Sequence, residues 1–235
     1  MRTLLYIPTI HTDADLGSMA KEVTRRGIAG LGNEIWAEHK KTVEGFWDAL
    51  SDYLDSLNVK GMKIYQDGLV ATGDIGEKVV DEAAKAGSRN YQLVSTLLQR
   101  GALLTKTEDV SLAKREYNNL LALMQARSTV GKIVAFIRYR LAKRRLLNKR
   151  DKFIAKTIDQ TLEPNETAIL FVGAAHEIKI RLPKDIRTRE VKDIQKVRNY
   201  QTLLPFHDRY SERFAELSRY LVSEIGSADN SSNHT

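Results

Sequence analysis

At 235 residues and 26.6 kDa the chain has the size of one large domain, and its 42% of hydrophobic residues can supply a proper core. Having no cysteine, it forms no disulfide, offers no thiolate nucleophile and holds no Cys-ligated zinc. The 37 Lys and Arg outnumber the 30 Asp and Glu, a net charge of +7 that permits an anionic partner without demanding one.

The opening MRTLLYIPTIHTDADL carries one arginine and only a short apolar run before Pro8. It predicts a first strand over 3–7 rather than a signal peptide. No apolar run approaches the ~20 residues of a membrane-spanning helix, so a soluble cytoplasmic protein is expected. His11 follows at the strand exit, with Asp13 and Asp15 close behind. An imidazole with two carboxylates suits a divalent metal such as zinc or manganese. The same aspartates, or Thr12, suit the N-cap of a helix carrying Leu16, Met19, Ala20 and Val23. Gly27, Gly30 and Gly32 lack the spacing of a nucleotide-binding loop. From Asn33 a long amphipathic helix is predicted, with Trp36, Val43, Phe46, Trp47, Leu50, Tyr53 and Leu54 on its apolar stripe.

Residues 61–65 read as a second strand, ending in Gln66-Asp67-Gly68. Helices are predicted from Thr72 to Gly87 and from Asn90 to Leu98. The segment GALLTKTED, 101–109, has two readings. It is a third strand edge delivering Glu108 to a shared crevice, or Thr107-Glu108-Asp109 opens the next helix with acids at its positive end. Residues 112–148 are helical in pattern, with a break at 128–131. The later part of that stretch carries the strongest basic run: Arg138, Arg140, Lys143, Arg144 and Arg145. Such a run suits nucleic acid, an acidic membrane surface or an acidic protein. Without an aromatic stacking platform or an RNA-binding signature, a solvated helix face is the simpler reading.

The stretch RDKFIAKTIDQTLEPNETAILFVGAAH, 150–176, is the most informative. An Arg-Asp pair heads a helical pattern with Phe153, Ile154, Thr157, Ile158 and Leu162 at helix spacing. Pro164 and Asn165 break it, and 168–172 form a continuous apolar run typical of a parallel strand buried on both faces. Gly173-Ala-Ala-His176 then delivers a histidine to the carboxyl edge of the sheet, where open α/β sheets bind ligands. Arg150, always charged and fork-shaped, can hold a carboxylate or phosphate, or pair with a nearby acid. This order resembles the C-terminal signature of the TraB, Tiki and ChaN/EreA-like superfamily, α/β proteins with two Gly-x-x-His motifs on neighbouring strands. Gly173, His176 and Arg150 match it. The resemblance implies that His11 holds the place of the first motif, with Pro8 in its glycine position. It also implies an acidic residue after the second strand, where this chain has Gln66 with Asp67 beside it. A neutral amide is neither a general base nor a good metal ligand, and a one-residue shift would send Asp67's side chain to the opposite face.

Beyond His176, residues 177–182 alternate as an edge strand would. Residues 186–191 predict another strand, and 197–200 and 206–225 predict helices. The polar tail, 227–235, is expected to be disordered. The expected fold is α/β: a small mostly parallel sheet flanked by many helices in one domain over 1–226, with a helical insertion around 107–148. The resemblance implies a metal-dependent hydrolase of peptide or ester bonds. His11 and His176 would be the ligands, Asp67 and Arg150 the catalytic groups, with Gln66, Asp13, Glu108 and Gly173 lining the pocket. Two other readings stand beside it. One is a non-catalytic small-ligand-binding or regulatory protein on the same scaffold. The other is a basic helical adaptor for nucleic acid or anionic surfaces. A homodimer through the long helices is compatible with each.

Overall fold

The computed structural model describes the chain except residues 13, 16–19, 113, 116–117, 119–128 and 227–235, and gives the backbone alone for 129–143. The predicted tail and Asp13 therefore lie outside the described residues.

Five parallel strands form one sheet: β1 (Arg2–Thr9), β2 (Lys63–Gln66), β3 (Leu103–Thr105), β4 (Thr167–Gly173) and β5 (Ile186–Glu190), in the order β3-β2-β4-β1-β5. The protein is thus α/β, as its sequence pattern predicts. From β1 to β3 successive strands step towards one edge, and from β3 to β5 towards the other. Right-handed crossovers must then place the connecting helices on opposite faces, and two separate apolar cores bear this out.

On one face, Leu5, Ile7, Ile64, Ile169 and Phe171 pack against α2 (Asn33–Asp55), α3 (Gly73–Lys85) and α4 (Arg89–Gln99), joined by α6 (Ile194–Leu203) and α7 (Ser211–Val222). On the other, Leu4, Tyr6, Tyr65, Leu170 and Val172 pack against Ile154, Ala155, Ile158 and Leu162 of α5 (Thr129–Thr161). Alternate residues of β4 thus serve opposite cores, which is why its sequence is apolar throughout. α1 (Ala20–Leu31) has no buried residue.

Several elements differ from their predicted form. Pro8 is not a turn but part of β1, paired with Val172. The ladder of β5 along β1 ends at Tyr6 and Glu190, so the donor that proline lacks has no strand opposite it. Gly27 and Gly30 lie inside α1; only Gly32, at φ 82°, breaks the chain before α2. α5 runs unbroken for 33 residues, so the basic run and the helix predicted from Arg150 are one element. Residues 177–182 form no strand: Lys179–Arg181 is a 3-10 turn, with Ile178 buried and Ile180 exposed. The last helix, predicted over 206–225, is shorter: α7 begins at Ser211 and ends at Val222, and a 3-10 turn (Leu204–Phe206) precedes it. Among the described residues, no helix is long and apolar enough to cross a membrane.

Candidate ligand-binding site

Three strands end at the same edge and α5 passes beside them, so four elements place charged groups together there. Asp67 directly follows β2, and its backbone N–H donates to Phe171 of β4 at 2.9 Å. Its side chain needs no register shift. Tyr65 already faces the α5 side, Gln66 the other, and Asp67 returns to the α5 side. Glu108 arrives from beyond β3, where the N–H groups of Thr107 and Glu108 both donate to Leu69 O and the Thr107 hydroxyl donates to Gln66 O. Glu108 meets Arg150 at the carboxyl edge, while Asp109 accepts from the N–H groups of Ser111 and Leu112. His176 is brought back by a turn in which its N–H donates to Gly173 O at 3.0 Å.

These groups form one chain of alternating charge. Arg150 Nε donates to Glu108 Oε2 at 2.5 Å, and its Nη2 to Asp67 Oδ1 at 2.9 Å. Asp67 Oδ2 lies 3.1 Å from His176 Nε2, and His176 Nδ1 lies 2.5 Å from Asp151 Oδ1. The second oxygen of Asp151 accepts from the backbone N–H of Glu177 at 3.0 Å and lies 3.8 Å from Arg181. Side-chain exposure is 5% for His176, 2% for Asp151 and 1% for Glu108, so these are interior charges. Ionised groups persist there only when paired.

The protonation states follow. Burial by itself lowers the basicity of His176, but hydrogen bonds to Asp151 and Asp67 and their charges outweigh it, raising the imidazole to about 9. Burial tends to raise Asp67, but His176, Arg150 and the Gly173 N–H hold it down at about 2. Glu108 is raised by burial, which outweighs the opposing pull of Arg150. Near neutral pH the centre is an imidazolium clamped between two carboxylates.

The first imidazole is elsewhere. Thr9 pairs with Gly173, so His11 and His176 leave neighbouring strands at nearly the same level. His176 turns back to α5, whereas His11, 63% exposed, lines a cavity of about 290 Å³ with His39, Lys40, Val43 and Glu44 of α2. The two helices cover opposite faces, and the structure does not bring the two rings together. Asp15 accepts from the Thr12 N–H at 2.6 Å and from the Ser88 hydroxyl, tying the β1 exit to the start of α4. Gln66 is buried on the α4 side; its amide donates to Asp67 O at 3.3 Å, and its Oε1 has no hydrogen-bond partner among the described residues. Gly173 adjoins the clamp, a Cβ there lying 3.6 Å from His176 Cδ2. Arg144 and Arg145 are exposed, and the side chains of Arg138, Arg140 and Lys143 lie outside the described residues.

Two participants were not anticipated. Asp151 holds His176, although the sequence shows it only as the neighbour of Arg150; a 100° turn per helical residue aims the two side chains at different partners. Arg181 falls in the stretch whose alternation predicts a strand. Its guanidinium donates to Glu177 O and, at 2.9 Å, to Asn148 Oδ1. Beside it, Arg144, Arg145, Asn148, Asp151, Ala175 and Arg181 line a groove of about 480 Å³.

These residues do not fit a divalent metal as arranged. Both nitrogens of His176 face carboxylates, and among the described residues no group of three or more His, Asp or Glu is placed to hold one. The class defined by fold and site is an all-parallel α/β protein with a buried ionic chain at the carboxyl edge of its sheet. The chain matches no family model, no curated protein and no solved structure.

Proposed function

We propose that this protein binds a small ligand at the carboxyl edge of its sheet without turning it over, as a binding or regulatory protein. The observation that carries this reading is the clamp on His176, whose ring nitrogens lie 2.5 Å from Asp151 and 3.1 Å from Asp67. A general acid or base works best with a pKa near the working pH. His176 at about 9 is too weakly acidic and already protonated, and Asp67 at about 2 is too weak a base. Hydrolysis at this centre would require His176 to give up both a proton and a carboxylate partner. The place of the groove beside Asp151 and Ala175, at the carboxyl edge of a sheet whose winding reverses, favours ligand binding.

The test combines three measurements on purified wild type and His176→Ala. Thermal melting against a metabolite panel is expected to find a ligand that raises the Tm of the wild type saturably. Ester and peptide panels are expected to give no turnover above buffer. Stoichiometric metal in the wild type that is lost in His176→Ala, or turnover abolished by that substitution, would replace this reading with the metal-dependent hydrolase.

A further inference from the structure

The groove beside Asp151 has an electrostatic character that the clamp explains. Its charged lining is Arg144, Arg145 and Arg181 against Asp151 and Glu177. The Asp151 carboxylate is already engaged, one oxygen by the His176 ring and the other by the Glu177 N–H. Its second oxygen also lies 3.8 Å from Arg181, so the lining carries three guanidiniums against two carboxylates, and one of those, Asp151, is already paired with His176. Arg144 and Arg145 form no ion pair with any described residue and are exposed. Arg181 is held in place by Asn148 Oδ1 and Glu177 O, so its fork is oriented before any ligand arrives. Ala175 contributes only a methyl group to the lining.

We infer that this groove binds the phosphate or diphosphate group of a small molecule through Arg144, Arg145 and Arg181. Guanidinium forks match tetrahedral oxyanions bidentately and stay charged at every physiological pH. Arg144 and Arg145 have no carboxylate paired with them among the described residues, and a diphosphate presents enough oxygens for both and for Arg181. A volume of about 480 Å³ falls within the usual range for a small-molecule site. The inference rests on the ligand-binding reading above and specifies its ligand.

Inorganic pyrophosphate is the probe, titrated calorimetrically into wild type, into Arg144→Gln/Arg145→Gln, into Arg181→Gln and into Lys149→Gln. Lys149 is an exposed cation of the same helix outside the groove lining. Saturable 1:1 binding is expected in the wild type and in Lys149→Gln, weakened about tenfold or more in the other two. The exposed pair guards against loss of fold, which circular dichroism checks. No saturable binding, or equal weakening in Lys149→Gln, overturns the inference. So does a single-stranded oligonucleotide that binds more tightly than pyrophosphate with a steep salt dependence, because the basic face would then serve nucleic acid. An uncharged metabolite that stabilises wild type and the double variant equally would sink the phosphate site while sparing the ligand-binding reading. Pyrophosphate that is bound and hydrolysed would do the reverse.

Discussion

His176 Nε2 lies 3.1 Å from Asp67 Oδ2 across two neighbouring strands, and each group shifts the titration of the other. The sign of the pH effect on stability follows. His176 moves up from 6.5 to about 9, so the native state binds more protons than the unfolded state between those values. Its contribution is fully present below pH 6.5 and is lost as pH rises through 9. Asp67, moved down to about 2, contributes above pH 4 and loses that as pH falls towards 2. Urea unfolding at pH 6 and pH 9.5 should therefore differ by on the order of 2–3 kcal/mol in favour of pH 6. In His176→Gln that difference should largely vanish. An imidazole resonance titrating near 6.5 in the folded protein would show that no clamp exists.

Asp151→Asn retains an acceptor for the Glu177 N–H but removes the negative charge facing Nδ1. A buried cation then loses one of its two counter-charges, and the expected cost is about 3 kcal/mol at pH 7. The His176 pKa should fall in the same variant. Chemical denaturation and NMR titration read the two effects separately; a stable variant with an unchanged imidazole would contradict the assignment of Asp151.

Arg150 joins Glu108 to Asp67, and Glu108 is almost wholly buried. Arg150→Met strands Glu108 and leaves Asp67 with His176 as its counter-charge, with an expected loss of about 3–5 kcal/mol at neutral pH. Glu108 can respond by taking up a proton, so the loss should shrink at pH 5. Adding Glu108→Gln should restore part of the stability, a coupling of about 1–3 kcal/mol in a double-mutant cycle. Strict additivity of the two substitutions would rule out the pairing.

Two glycines make a contrasting pair. A Cβ on Gly76 would lie 2.7 Å from Ala71 O and 3.0 Å from Leu104 Cδ2, a clash with backbone that cannot rotate away. Gly76→Ala is expected to destabilise by about 1–3 kcal/mol, more than the gain of up to about 1 kcal/mol from helix propensity. At Gly173 the nearest atoms stand 3.6 and 3.8 Å away, ordinary contact distances. Gly173→Ala should stay within about 0.5 kcal/mol of the wild type. Thermal melts of the two variants side by side decide it.

The strands were legible because their signals are local. The unbroken apolar run of β4 announced a strand buried on two faces, and Gly-Ala-Ala-His marked its exit. His176, Asp67, Arg150 and Glu108 could all be picked out by lying just beyond such runs or at the head of the last helical pattern. Their pairing could not, because which acid meets which base depends on strand order, and order is not written in any single segment. Two partners went unseen for the same reason. Asp151 looks like a helix-start acid until α5 is known to continue through it. Arg181 reads as part of an alternating strand, and alternation over six residues cannot tell a strand from a short turn that buries one of its apolar residues.

The sequence separations within the ionic chain bear on the order of folding. Arg150 meets an acid 42 residues away and another 83 away, and His176 reaches back 25. His176 and Asp151 need only α5 packed on β4, but the complete chain also needs the exits of β2 and β3 beside α5, so the entropy of closing those longer loops is paid before all the charges meet. The clamp is then a late event that latches an assembled sheet. Substitutions within it should hasten unfolding and leave the refolding rate nearly unchanged.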